Sequence, residues 1–140
     1  MCRQGAGDKG WTQVQGNKQL TQDDLSIKQN QGTMAFFEIR QYKIRPGKMD
    51  AWLDLMHTEI VPFQVSQGMV FCGSYRGEED DSVYFWIRRF EDEAQRERLY
   101  KDVYQSDRWV NELADRVGEV MDRDGMVVHR VVATAHSPMQ

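Results

Sequence analysis

Three side chains that could take part in chemistry are spaced two apart near residue 40. Glu38, Arg40 and Tyr42 lie in a run that predicts a β-strand, and alternate side chains of a strand share a face. The planar donor fork of Arg40 suits a carboxylate, so it could hold the anionic group of a ligand that Tyr42 orients. The interpretation we favour is structural: Glu38 forms a partly buried ion pair with Arg40 or with Arg89, and the phenol belongs to the core.

Two tryptophans and a further arginine extend this row to a candidate ligand site. Large flat side chains suit a partly apolar ligand, although they more often fill a core or an interface. The candidate ligand-binding residues are Glu38, Arg40, Tyr42, Trp86, Arg89 and Trp109.

His57 is the candidate catalytic residue. It follows Met56, a core position of a predicted helix, and an interior imidazole could act as a general base near neutral pH. A histidine at the surface or at the core edge is the favoured alternative. The three histidines and two cysteines show no metal-ligand spacing, so we predict no metal and no cofactor. A haem iron would need His57 or His129 as its axial ligand and is the least favoured option.

The composition is typical of a single globular domain. The chain has 140 residues, of which 40% are hydrophobic, enough for a core that needs no disulfide. The net charge of −4 disfavours a nucleic-acid partner, which requires a basic face. No apolar run approaches the ~20 residues that cross a bilayer. The cysteine usage is typical of free thiols in a reducing compartment, which predicts a cytoplasmic protein.

The chain divides into a leader, a domain and a tail. Residues 1–33 are rich in Gln, Gly, Lys and Asp and show no sustained period, which predicts disorder. Since Met34 stands just before the first predicted strand, we hypothesise that the leader is not the native start. We predict the folded domain over residues 34–135 and a polar tail over 136–140.

Hydrophobic periodicity predicts four strands and three helices in the domain. Pro62 is expected at or beyond the last turn of the first helix, because an interior proline costs roughly 3 kcal/mol, and Gly68 closes the segment. Ser106 is a plausible cap for the third helix, and Asp124–Gly125 is expected to break it. The predicted strands cover 36–44, 69–75, 82–90 and 126–133, and the first two helices begin at 49 and 91.

The order βαββααβ is the ferredoxin-like split pattern with its second helix doubled. It predicts an α+β fold in which helices cover one face of a four-stranded antiparallel sheet. The other face would expose apolar side chains, which is unusual for a soluble monomer. We therefore expect a homodimer through the open sheet face, a dimeric α+β barrel, because a two-fold interface is the commonest solution.

Several short motifs, taken in order, resemble those of a known family. Residues 37–42 and 46–48 look like an opening E-x-R-x-Y strand and its PGK turn, and residues 104–109 look like a helix with a D-x-W ending. At the end of the third strand, Arg89 falls on the usual arginine, whereas Arg88 stands where many members carry Trp. Over roughly residues 35–133 the chain resembles the NIPSNAP family, in its bacterial form.

The resemblance implies the dimeric barrel fold and largely unassigned biochemistry. Neighbouring barrels include cofactor-free oxygenases of aromatic compounds and haem-degrading enzymes. We predict a homodimeric domain that binds a small, partly apolar, anionic molecule or acts as an interaction module without chemistry. The alternative is a cofactor-independent oxygenase or isomerase that uses His57 or the Arg/Tyr set to deprotonate an aromatic or carbonyl substrate.

Overall fold

The sheet has four antiparallel strands. The computed structural model describes residues 34–140, so the predicted leader lies outside the described residues. The strands pair in the order β2-β3-β1-β4. The predicted ferredoxin-like α+β fold is therefore confirmed. The strands are β1 (Phe36–Ile44), β2 (Val70–Arg76), β3 (Val83–Phe90) and β4 (Met121–Val131).

Four α-helices and two π-helical segments connect the strands. Ser106 caps the helical turn that begins at Asp107, as the sequence predicts, because its Oγ accepts from the main-chain N–H of Trp109 at 3.1 Å. Between β1 and β2 lie α1 (Met49–Leu55), the π-helical segment Met56–Ile60 and α2 (Val61–Ser66). Between β3 and β4 lie α3 (Glu93–Tyr104), the π-helical segment Trp109–Leu113 and α4 (Ala114–Val120).

Pro62 lies earlier in the helical stretch than the sequence predicts. The chain continues in helical form to Ser66. In the π-helical segment before it, backbone hydrogen bonds span five residues instead of four. The N–H of Val61 donates to the carbonyl of Met56. This wider turn places Pro62 in the first turn of α2, where the missing proline N–H costs little.

The predicted helix break at Asp124–Gly125 is wrong. α4 ends at Val120, and both residues lie inside β4. The pairing of β1 with β4 shifts register between Gln41 and Lys43, as it does at a β-bulge. A Cβ added at Gly125 would lie 2.6 Å from the Cβ of Lys43. The glycine therefore permits a close approach of two strands rather than the end of a helix.

The helices cover one face of the sheet only. Along β3, buried side chains alternate with half-buried ones. No helix among the described residues covers the second face, and none is long and apolar enough to cross a bilayer. The helix-covered face carries Phe36, Glu38, Arg40, Tyr42, Ile44, Tyr84, Trp86, Arg88 and Phe90. The open face carries Phe37, Ile39, Gln41, Lys43, Val70, Tyr75, Val83, Phe85, Ile87, Arg89, Val127, His129 and Val131.

Candidate functional site

β1 places an acid, a base and a phenol side by side beneath the helices. Glu38, Arg40 and Tyr42 are 5%, 2% and 1% exposed. Arg40 donates from Nη1 to Glu38 Oε2 and from Nε to Tyr42 Oη, both at 2.8 Å. Strand periodicity alone brings the three together, since alternate residues share a face. The ion pair between Glu38 and Arg40 is present, and it is enclosed.

Arg88 joins this pair from the neighbouring strand. In the register of β1 with β3, Arg88 lies opposite Glu38, and its Nη2 is 3.3 Å from Glu38 Oε1. Glu38 therefore lies between two guanidinium groups. Arg89, the other partner considered for Glu38 from the sequence, lies on the open face. It pairs with Glu91 and donates from Nε to the carbonyl of Gln140 at 2.7 Å.

Two tyrosines of α3 close the site from the helical side. Tyr100 and Tyr104 are four residues apart and so lie on one side of the helix. Tyr100 Oη donates to Glu38 at 2.6 Å and accepts from Arg40 Nη1 at 3.0 Å and Arg88 Nη2 at 2.8 Å. Tyr104 Oη accepts from Arg88 Nη1 at 2.7 Å. The helix thus supplies acceptors to both guanidinium groups.

Gln64 of α2 supplies a further acceptor. Its Oε1 accepts from Arg88 Nη1 at 3.0 Å, and its Nε2 donates to Tyr104 Oη at 3.3 Å. Gln64 reaches this position because the helix continues past Pro62. We call the connected set the buried arginine cluster, which consists of Glu38, Arg40, Tyr42, Gln64, Arg88, Tyr100 and Tyr104.

The buried arginine cluster holds two positive charges and one negative charge. Arginine stays protonated in proteins. Burial alone would raise the pKa of Glu38, but the attraction of Arg88 and Arg40 outweighs it and lowers this pKa, so the carboxylate is ionised near neutral pH. Burial raises the pKa of Tyr42 and Tyr100, so both phenols keep their protons. One positive charge is left in excess.

Aromatic rings surround the guanidinium of Arg88. Its Cζ lies 4.6 Å from the ring centre of Trp86, and the rings of Tyr100, Phe90 and Tyr104 follow at 5.2, 5.7 and 5.9 Å. These distances allow cation–π attraction. The rings hold the guanidinium in place, but they contribute no negative charge.

Three N–H groups at this site lack a strong hydrogen-bond acceptor. Arg88 Nε and Trp86 Nε1 are buried and have no acceptor among the described residues. Arg40 Nη2 donates to the sulfur of Met126 at 3.3 Å, and a thioether is a weak acceptor. A buried donor without an acceptor costs about 1–3 kcal/mol. A further acceptor would therefore be favourable here.

The remaining candidate residues lie at different distances from the cluster. Trp86 stacks on Arg88. Trp109 borders the cluster, with its ring edge-on to Tyr104 at 4.9 Å. His57 is exposed on the first π-helical segment. Among residues 34–140, no group of three or more metal-ligating side chains is placed to hold a metal ion.

The sequence analysis missed four members of the cluster. Arg88 shares a face with Trp86 and Phe90, and this aromatic alternation was the available signal. The spacing of Tyr100 and Tyr104 placed both on one side of a helix, but nothing in the sequence showed that this side faces the strand that carries Glu38. Gln64 had no signal, because its position depends on the π-helical segment.

Comparison with known proteins places the chain in a family. The NIPSNAP family model matches residues 37–138. The chain belongs to the NIPSNAP family. The resemblance seen in the sequence motifs is thereby confirmed. No curated protein matches the chain.

Solved structures of NIPSNAP proteins share this fold. One from Agrobacterium tumefaciens, of unknown function, has a TM-score of 0.69 at 18% identity, covering 77% of this chain and 96% of that one. An uncharacterised NIPSNAP-like domain protein from Burkholderia xenovorans has a TM-score of 0.68 at 16% identity, covering 76% and 90%. A putative antibiotic biosynthesis monooxygenase from Nitrosomonas europaea has a TM-score of 0.57 at 9% identity, covering 76% and 96%. At these identities the likeness shows the fold alone.

Proposed function

We propose that this NIPSNAP chain binds a small, partly apolar anion at the buried arginine cluster and works as a homodimer. The observation that carries the binding proposal is the excess positive charge enclosed with unused donors. Arg88 is 0% exposed, and its Nε has no acceptor among the described residues. An enclosed charge without compensation is costly, and an anion that accepts from the guanidinium would relieve that cost.

The aromatic surroundings support a ligand with an apolar body. The rings of Trp86, Phe90 and Tyr100 lie around the guanidinium of Arg88. Met126 is the half-buried neighbour of Arg40. A methionine side chain is flexible, so we place the route by which a ligand would reach the cluster at Met126.

Binding can be tested by calorimetric titration with small anions. The probes are benzoate, phthalate, hexanoate, adipate and inorganic phosphate, and the variant is Arg88→Gln. The matched control is Arg98→Gln, since Arg98 is exposed on α3. We expect at least one probe to bind the native protein and the control alike, and to bind Arg88→Gln at least tenfold more weakly.

Two outcomes separate binding from folding. If Arg88→Gln loses its native circular dichroism, Arg88→Lys replaces it, because lysine keeps the charge but not the planar fork. The proposal fails if no probe binds the native protein, or if binding is the same with and without Arg88.

The homodimer is proposed through the open face. Val70, Tyr75 and Val127 on this face are 43%, 60% and 43% exposed. The charged residues stand at the ends of the strands: Lys43 pairs in register near one end and Arg89 near the other. A two-fold copy could therefore stack one apolar centre on another while the charges remain at the rim.

The oligomeric state is measured by light scattering on the eluted protein. We expect a mass of two chains for the native protein and for Val110→Glu, whose position is exposed on the second π-helical segment. Ile87→Glu places a charge in the centre of the open face and should give a single-chain mass. A native protein that elutes with the mass of one chain would refute the homodimer.

The oxygenase or isomerase alternative takes its general base from His57 or from the Arg/Tyr set, and His57 is the candidate catalytic residue. That side chain points to solvent, whereas its neighbour Met56 is 0% exposed in the core. The cluster lies beneath the helices, on the side that Met56 faces. We therefore propose ligand binding alone and assign no catalytic role to His57.

A further inference from the structure

The net charge of the cluster limits the charge of what it can bind. Arg40 and Arg88 contribute two positive charges, and the ionised Glu38 contributes one negative charge. Tyr42 and Tyr100 are neutral phenols. All of these side chains are buried. A ligand that leaves the enclosed site neutral must carry one negative charge.

No neighbouring carboxylate changes this count. A further acid on the helical side is Glu93, in the first turn of α3. It pairs with Arg96, whose Cζ lies 4.6 Å from the ring centre of Tyr100, and with Arg130. Glu93 is thus shared by two arginines and adds no surplus negative charge. Arg96 balances the charge of Glu93, and the side chain of Arg130 is 35% exposed, so water screens its charge.

The unused donors indicate the chemical class of the anionic group. Arg88 Nε has no acceptor among the described residues, and Arg40 Nη2 has only a thioether sulfur. One donor is thus free on each guanidinium. A carboxylate oxygen accepts strongly from an arginine N–H, so a carboxylate would suit either donor. The indole N–H of Trp86 is a third unused donor on the same face of β3.

We propose that the ligand of the buried arginine cluster is a monocarboxylate with an apolar body, and that Glu38 sets this selectivity by cancelling one of the two arginine charges. The inference rests on the proposed binding function. A dicarboxylate would bring two negative charges to a cluster with one excess positive charge. One buried negative charge would then remain, which is disfavoured in a low-dielectric interior.

Glu38 can be changed with little change of shape. Glu38→Gln keeps an oxygen that can accept from Tyr100 and Arg40, but it removes the charge. The cluster would then hold two uncompensated positive charges. We expect this variant to favour dianions over monoanions, which is the reverse of the native preference.

The experiment compares pairs of probes in which the second member carries one more carboxylate than the first. Benzoate and phthalate share a ring, and hexanoate and adipate share a six-carbon chain. Titrations near neutral pH are run on the native protein, Glu38→Gln and the control Arg98→Gln. We expect the native protein and the control to bind the monoanion of a pair at least tenfold more tightly than the dianion, and Glu38→Gln to lose or reverse this ratio.

The outcomes distinguish this inference from the function on which it rests. If the native protein binds phthalate or adipate at least as tightly as its monoanion partner, and Arg88→Gln abolishes that binding, the anion site stands and the monocarboxylate assignment is overturned. If no probe binds in an Arg88-dependent way, both fail. Should Glu38→Gln not fold, the native ratio still decides the ligand class, and Glu38→Asp, which keeps the charge, should retain the native preference.

Discussion

Arg88 and Arg89 are adjacent on β3, yet they lie in opposite environments. The Arg88 side chain is 0% exposed and faces Glu38, which is 6% exposed. The Arg89 side chain is 23% exposed, and its partner Glu91 is 62% exposed. Water screens the second pair and not the first. The two faces of one sheet thus give the same residue type either a buried structural contact or a minor surface contact.

The largest expected effect is on stability when each arginine is removed. Arg88→Ala removes one donor each from Gln64, Tyr100 and Tyr104 and breaks the buried ion pair with Glu38, so it should lower the free energy of unfolding by about 3–5 kcal/mol. Arg89→Ala should cost less than about 1 kcal/mol, because its partner is solvated. Urea unfolding followed by circular dichroism measures both. Similar losses for the two variants would contradict the contrast between the faces.

A smaller effect is expected at Tyr100. Tyr100→Phe removes a hydroxyl that contacts Glu38, Arg40 and Arg88, and hydrogen bonds to charged groups are worth about 1.5–3 kcal/mol. Arg98→Gln, at an exposed position of α3, is the control. It should leave the urea midpoint within error. An equal shift in both variants would mean that the Tyr100 hydroxyl contributes nothing specific.

The sequence predicts the sheet better than it predicts the site. The period of two in β1 and β3 defines each strand to within one residue, because that period belongs to the strand itself. Whether Arg88 or Arg89 faces Glu38 depends on the register, which pairs Phe36 with Phe90. Both faces of β3 carry apolar and charged residues, so local periodicity does not select one.

The helical side was harder to predict for a related reason. From the sequence, Pro62 is expected at or beyond the last turn of the first helix, because a proline inside a regular α-helix is costly. The π-helical segment before it removes that cost and carries Gln64 to Arg88. The spacing of apolar residues in the sequence does not distinguish a π-helical turn from an α-helical one.

A third and smaller effect is the response of stability to acid. The pKa of Glu38 lies below its ordinary value in the folded chain, although burial opposes the arginines. Its contribution is complete above the unfolded pKa of about 4.3 and is lost as the pH falls through the lower folded pKa. The native protein should therefore lose more stability in acid than Glu38→Gln does.

The measurement is the difference in unfolding free energy between native protein and Glu38→Gln as the pH is lowered. Other carboxylates with lowered pKa values, such as Glu93, are present in both proteins and cancel in this difference. The two stabilities should converge in acid. A difference that does not change with pH would mean that Glu38 stabilises the fold by shape and not by charge.

The smallest effect is expected at Met126, where the cluster meets its weakest acceptor. Met126→Leu keeps the volume but removes the sulfur that accepts from Arg40 Nη2, so it should cost less than about 1.5 kcal/mol. Because Arg40 then has one more free donor, the same variant should bind benzoate severalfold more tightly. Met139→Leu, at a side chain that is 41% exposed, is the control for both measurements. A loss as large as that of Tyr100→Phe would show that the sulfur completes the cluster, and Arg40 would then have no donor to offer a ligand.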